Sequence, residues 1–171
     1  MKYQCSYRTM FQMTVKLFLA FCVAICISSC GKKAPREIPA FDVLLLDSTT
    51  LLNTRDIPTG RPVLFMYFQP DCKHCQEETI KLVKNMDAFK DVQIYYISPS
   101  PISEVKLFYD LCGLKKFSNV TFAVDYKLYF YEQYKPTTTP YQAVYDRSKK
   151  LVDYFDGGTK LTRLMKLVHK G

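Results

Sequence analysis

Two cysteines two residues apart, in Gln69-Pro70-Asp71-Cys72-Lys73-His74-Cys75-Gln76, constrain this chain more than any other feature. They directly follow the apolar run Val63-Leu64-Phe65-Met66-Tyr67-Phe68 and directly precede a helix-like pattern. A pair placed where a buried strand runs into a helix sets the first sulfur at the helix N-terminus. Unpaired backbone N–H groups and the macrodipole favour a thiolate there. Thiol–disulfide exchange requires that arrangement, so Cys72 and Cys75 are the first candidates for reactive residues.

Residues 1–29 set the expected compartment. They carry Lys2, Arg8 and Lys16, no acid, and an apolar stretch from Leu17 to Ile27 that leads into Ser28-Ser29-Cys30-Gly31. About 20 apolar residues are needed to cross a bilayer, so the segment reads as an export signal with a short core. Small residues before a cysteine at the end of such a core resemble the lipobox of bacterial lipoproteins, with Ile27 standing for the usual Leu. That resemblance implies cleavage before Cys30 and lipidation of Cys30. Met10 and Met13 are alternative starts, and an uncleaved anchor helix is the alternative reading of the segment. Under either reading the remainder faces an extracytoplasmic space in the cell envelope.

The expected organisation is a signal peptide over 1–29, the lipidated cysteine and a polar, proline-containing tether over 30–40, and one domain over 41–171. Removing residues 1–29 from 171 leaves 142, enough for a domain that buries roughly two-thirds of its unfolded surface. Loss of Lys2, Arg8 and Lys16 leaves 21 basic side chains against 16 acidic ones, about +5. These charges are spread along the chain, which fits a diffuse positive surface near anionic lipid and argues against a nucleic-acid partner.

Cysteine usage narrows the chemistry. Cys5, Cys22 and Cys26 leave with the signal and Cys30 would carry lipid, so Cys72, Cys75 and Cys112 remain. One close pair and one odd cysteine do not make a disulfide-stapled scaffold. Cys112 reads as a buried helix residue.

The hydrophobic pattern predicts a hairpin between Phe41 and Leu52 turning at Asp47-Ser48-Thr49-Thr50, a loop from Arg55 to Arg61, and a buried strand from Val63 to Phe68. A helix follows from Lys73 to Phe89, with Ile80, Leu82, Val83, Met86 and Phe89 as its apolar residues and Glu77 and Glu78 decorating its start. Then come a strand from Val92 to Ile97, a helix from Ile102 to about Leu114 with Val105, Phe108, Leu111 and Cys112 on its apolar face, a short strand from Asn119 to Val124, and an aromatic helix from Lys127 to Tyr134. The chain closes with Thr137-Thr138-Thr139-Pro140, strands Tyr141 to Tyr145 and Leu151 to Phe155, a stop at Gly157-Gly158, and a final helix capped by Thr159.

This order, with a CxxC after a buried strand and Thr-Pro 64 residues past Cys75, resembles the thioredoxin fold over about residues 40–170. The strand and helix between Asn119 and Tyr134 resemble the insertion of its redoxin branch, the TlpA-like and ResA-like tethered oxidoreductases. The resemblance implies an α/β fold with a central mixed sheet flanked by helices, an N-terminal hairpin and a β-α insertion. It implies a cis peptide bond at Pro140 beside the cysteines, with Thr139 and Pro140 facing a substrate strand. It also implies thiol–disulfide exchange with protein thiols and disulfides, a membrane or extracytoplasmic redox partner, and no cofactor beyond a redox-active Cys72–Cys75 disulfide. An apocytochrome is one substrate this likeness suggests.

From exposure, Cys72 should attack and Cys75, one turn in, should resolve the mixed disulfide. Lys73 and His74 in the first turn should lower the Cys72 pKa. The family likeness favours a reductase. A histidine before the second cysteine also occurs in oxidants of the DsbA type, and a stabilised thiolate makes the disulfide more oxidising, so an oxidase or isomerase is the alternative. Two positions depart from the reductase pattern. Met66 stands where thioredoxins keep a buried acid to take the proton of the second cysteine, with Glu77 and Glu78 the alternative holders of that role, and Asp71 replaces the usual aromatic before the motif. The chain has no Trp.

Other chemistries fit less well. A peroxiredoxin would need Pro and Thr where Phe65 and Gln69 stand, and a c-type haem site would need His where Gln76 stands. A zinc site would have to draw on Cys72, Cys75, His74, His169 and Cys112, and a Sco-type copper site keeps three residues between its cysteines. A non-enzymatic module binding metal, or peptide on Thr139-Pro140, completes the alternatives.

Overall fold

Ala34 is buried beneath a sheet edge, and from there the chain folds without interruption; the computed structural model describes residues 34–170. The expected signal segment, Cys30 and the first residues after it lie outside the described residues.

Strands β1 (Asp42–Leu45) and β2 (Leu51–Asn53) pair antiparallel as the expected hairpin. Its turn is closed by the Asp47 carboxylate, which accepts from the N–H of Thr49 at 2.9 Å and of Thr50 at 2.7 Å, while Ser48 takes φ 70°. Short acceptors at a turn's first position do this in general. Strands β3 (Val63–Tyr67), β4 (Gln93–Ser98) and β5 (Val120–Val124) run parallel to one another. Strand β6 (Tyr141–Tyr145) pairs antiparallel with β3, and β7 (Leu151–Asp156) with β6. Among the described residues they form one seven-stranded mixed sheet in the order β2-β1-β5-β4-β3-β6-β7.

Among the described residues four α-helices cover the sheet: α1 (Lys73–Lys84), α2 (Ile102–Leu111), α3 (Tyr129–Tyr134) and α4 (Leu161–Val168). Strand β3 reads as unbroken apolar sequence because both of its faces are covered. Leu64 and Met66, with Phe68, enter a core with Leu82, Phe108 and Leu164 of α1, α2 and α4. Val63, Phe65 and Tyr67 enter a second core with Phe130 and Tyr134 of α3. The second core is aromatic: the Phe130 ring stacks on Tyr134 at 4.0 Å and on Tyr67 at 4.7 Å between centroids.

The structure departs from the sequence reading in four places. Residues 34–40, expected as tether, are strapped to the sheet. The Arg36 carbonyl accepts from Leu151 N–H at 2.8 Å, Glu37 bridges Lys150, and the Pro35 carbonyl accepts from the Tyr145 hydroxyl at 3.0 Å. The edge of β7 supplies backbone partners that composition does not announce.

Helix α1 stops at Lys84 instead of Phe89, because the Asn85 side chain turns back to donate to the Lys81 carbonyl at 2.9 Å. A separate 3₁₀ turn then delivers Met86 and Phe89 to the core. The buried face of α1 is Cys75, Glu78, Thr79 and Leu82, at i, i+3, i+4 and i+7. Ile80 falls off that stripe and is 47% exposed.

Helix α2 ends at Leu111 with Gly113 at φ 63°. Leu111 is 78% exposed and Cys112 only half-buried, since Val105 and Phe108 alone reach the core from this helix. Thr159 does not cap the last helix. The first turn of α4 closes on the Lys160 carbonyl, so Thr159 stands one residue outside it.

Candidate active site

Strand β3 points straight at the cysteine pair. After Tyr67 the chain runs through Phe68 to a turn in which the Cys72 N–H donates to the Gln69 carbonyl at 3.1 Å, and the Gln76 side chain donates to the Pro70 carbonyl at 2.8 Å. Cys72 is the N-cap residue of α1. Its sulfur accepts from the Cys75 N–H at 3.2 Å, as an Asp or Ser oxygen does at other helix starts. Cys72 is half-buried, Cys75 is 1% exposed, and both are free thiols.

The opposite wall is the loop before β6. The Thr139–Pro140 bond is cis, and the Thr139 carbonyl lies 3.7 Å from the Cys72 sulfur, accepting from the thiol. Asp156, at the end of β7, holds this loop. Its carboxylate accepts from the Thr137 N–H at 3.0 Å, the Thr137 hydroxyl at 2.6 Å and the Thr138 N–H at 2.9 Å. The Gly157 N–H then donates to the Pro140 carbonyl at 3.1 Å. Gly158, at φ 81°, comes so close that a Cβ there would stand 3.1 Å from Pro140 Cγ.

The two sulfurs differ in character. Burial pushes the Cys72 thiol up, but hydrogen bonds from the Cys75 thiol, the Thr139 side chain and the backbone N–H groups of Cys75 and His74 outweigh it, and the net direction is down. Burial, together with the Cys72 contact, pushes Cys75 up to about 12. A half-buried sulfur whose thiolate is favoured thus stands beside a buried one held as thiol, and such an asymmetry favours reaction at the more accessible sulfur.

The expected tuners sit differently from one another. Lys73 is exposed in the first turn. His74 contributes its backbone N–H to Cys72, and its ring turns to the other wall, with Nε2 3.2 Å from the Gly157 carbonyl. Glu77 is exposed, as a decorating residue should be, but Glu78 is not. It is 8% exposed, accepts from the Gln142 side chain at 3.4 Å and pairs with Lys81 at 3.5 Å. Its Oε2 and the His74 Nε2 both approach Gly158, so Glu78 lies under the same corner as Pro140. The sequence offered Glu78 as an acid near the cysteines, and its burial follows from the α1 stripe. Gln142 carried no signal beyond an ordinary strand position, and Asp156 none beyond following the expected strand.

Cys112 lies at the end of α2, not between the two walls, and burial pushes its thiol up. Among the described residues no group of three or more His, Cys, Asp or Glu side chains is placed to hold a metal ion.

No family model matches the sequence, and no curated protein matches it. Solved structures do. The thioredoxin domain of a thiol-disulfide oxidoreductase from Bacteroides vulgatus matches with TM-score 0.65 at 21% identity, over 81% of this chain and 96% of that one. A secreted Mycobacterium tuberculosis disulfide oxidoreductase homologous to E. coli DsbE matches with TM-score 0.63 at 17% identity, over 75% and 93%. MTB DsbF, in its mixed oxidized and reduced forms, matches with TM-score 0.66 at 18% identity, over 80% and 97%. Sheet order, the helix-capping cysteine, the cis proline and these likenesses agree: residues 34–170 have the thioredoxin fold.

Proposed function

We propose that this chain is an extracytoplasmic thiol–disulfide oxidoreductase that exchanges disulfides with protein substrates through Cys72 and Cys75. One observation carries the reading: the Cys72 sulfur takes the Cys75 N–H at 3.2 Å on one side and faces the Thr139 carbonyl before a cis proline at 3.7 Å on the other. The thiolate side is built for attack, and the carbonyl side offers a backbone edge to an incoming strand.

Written as a reductase, the Cys72 thiolate attacks one sulfur of the substrate disulfide, forming a mixed disulfide and releasing the other as a thiolate. Cys75 then loses its proton and attacks the Cys72 sulfur, and the second substrate sulfur leaves. Two electrons pass to the substrate, whose two sulfurs take up the two protons lost by the dithiol. The Cys72–Cys75 disulfide that results needs no other cofactor, and a membrane or extracytoplasmic dithiol partner must return it to the dithiol state. Thr139 and Pro140 bind the substrate backbone. Lys73 supplies positive charge near the motif, and His74 acts through its backbone N–H and its hold on Gly157.

Export and a lipid on Cys30 complete the reading, supported by the signal-like residues 1–29. No helix of the described residues is long and apolar enough to cross a membrane. The lowered Cys72 pKa favours a second direction of flow, because a stabilised thiolate stabilises the dithiol and makes the disulfide a stronger oxidant.

The deciding experiment equilibrates the protein against glutathione or dithiothreitol buffers and reads the dithiol fraction. A potential below about −240 mV makes it a reductase and one above about −180 mV an oxidase or isomerase. Failure of the pair to form a disulfide at any poise removes the enzyme reading.

A further inference from the structure

Of the seven large apolar side chains that stand exposed among the described residues, three gather in one place. Ile80 of α1 and Leu107 and Leu111 of α2, the last two 59% and 78% exposed, line one groove of about 430 Å³, with Phe108 and Cys112 beneath them. That volume suits one or two large side chains. The groove's near wall is Pro70, Asp71 and Gln76, the turn that delivers Cys72. Asp71 precedes Cys72 directly, so the groove lies within a few extended residues, at about 3.5 Å each, of a cysteine that meets Cys72.

Charge says what kind of chain fits. The protein carries a net +8, yet the rim of this groove holds two carboxylates, Asp71 and Glu104. Both are exposed, and neither is in an ion pair among the described residues. Lys106, on the same helix, turns instead toward the Ser48 hydroxyl at 3.4 Å. An apolar floor with an unpaired acidic rim is complementary to an apolar side chain flanked by a basic one.

We propose that the groove between α1 and α2 is a substrate subsite that takes a large apolar side chain of an extended polypeptide, next to a Lys or Arg, close to the cysteine being exchanged. The proposal rests on the exchange reading above and adds a specificity: unfolded segments with apolar and basic residues beside a cysteine are preferred to acidic or glycine-rich ones.

The test separates the groove from the chemistry. A fluorescent peptide with Leu and Arg flanking a Ser in place of the cysteine is titrated with the intact chain by anisotropy, beside a control with Gly and Glu at those places. The Leu/Arg peptide is expected to bind at least about ten-fold more tightly. Leu107→Ser with Leu111→Ser, both at exposed positions, should remove about ten-fold of that affinity. Asp71→Asn with Glu104→Gln should weaken binding and flatten its salt dependence. Equal binding of the two peptides, or leucine variants that bind as the parent does, overturns the proposal. So does a dimer, seen by sedimentation, that the leucine variants disperse, since a second copy then fills the groove. Exchange with glutathione disulfide is measured in parallel. Binding without exchange removes the redox reading and leaves the groove, and exchange without binding does the reverse.

Discussion

The His74 ring reaches 83 residues along the chain to the Gly157 carbonyl, at 3.2 Å, and so ties the first turn of α1 to the loop that backs Pro140. The contact requires Nε2 to carry the proton. His74 therefore meets the site through a hydrogen bond to the far wall, while its backbone N–H serves the Cys72 sulfur. In His74→Ala the backbone donor stays. The Cys72 titration, followed by thiolate absorbance, is expected to move by less than about half a unit, while exchange with a protein disulfide slows several-fold as the loop loosens. A shift above about one unit would show that ring charge, not the backbone, sets the thiolate.

Cys75→Ala is expected to act on Cys72 more strongly than His74→Ala does. The substitution keeps the backbone N–H and removes the thiol that donates to the Cys72 sulfur. A hydrogen bond to a charged group is worth about 1.5–3 kcal/mol, so the Cys72 pKa should rise by about a unit or more. Iodoacetamide labelling rates against pH measure this. An unchanged midpoint would mean that the side-chain hydrogen bond contributes nothing.

The reduced protein should lose stability at alkaline pH in two stages. Cys72, depressed in the fold, contributes fully above its unfolded value of about 8.5 and loses that contribution only as pH falls through its folded value. Cys75, pushed up to about 12, contributes below about 8.5 and loses its contribution as pH rises from there. Cys112 adds in the same direction. Between about pH 8.5 and 10 the decline belongs to these two thiols, and above about 10 the buried phenols of Tyr67, Tyr96 and Tyr145, whose pKa values burial raises, join it. Urea midpoints across this range should fall less steeply in Cys75→Ala, and an equal slope would contradict the assignment.

Gly158→Ala should be costly at two levels. A side chain at φ 81° is strained, and its Cβ would meet Pro140 Cγ at 3.1 Å. A loss of about 1–2 kcal/mol is expected, read as a lower urea midpoint, together with slower exchange because the strain falls on Pro140, next to the Thr139 carbonyl that faces Cys72. Gly60→Ala is the control: its φ is 88° but nothing lies within 4 Å of the added carbon, so stability falls and exchange does not.

Phe130→Leu tests the insertion helix as part of the core. Phe130 is fully buried and stacks on both Tyr67 and Tyr134. Losing those ring contacts should lower stability by about 1–3 kcal/mol, read as a urea midpoint, without moving the Cys72 titration. An effect confined to exchange would place the helix in the site instead.

How far sequence carries can be seen residue by residue. Val63 to Tyr67 was legible as a doubly covered strand because nothing polar interrupts it, and the helix start at Cys72 followed from that strand. Pro140 and Thr139 came to the cysteines only through a resemblance, since no local signal joins residues 64 apart. Ile80 and Leu111 were misplaced because hydrophobicity suggests a buried face, but the register of α1 and α2 is set by Cys75, Thr79, Leu82, Val105 and Phe108, which reach the sheet first. Glu78 was pulled inside by the same register, against its charge. The strap over 34–40 has no period to read, because backbone carbonyls of Pro35 and Arg36, not side chains, make its bonds.

That strap bears on orientation. It joins the sheet beside Lys150 and Leu151, where β7 begins opposite Tyr145 and Val63, whereas Cys72 follows the other end of β3, past Tyr67 and Tyr141. The strap and the reactive sulfur therefore occupy opposite ends of β3 and β6, and an attachment made through the strap leaves the Cys72 end of the sheet uncovered.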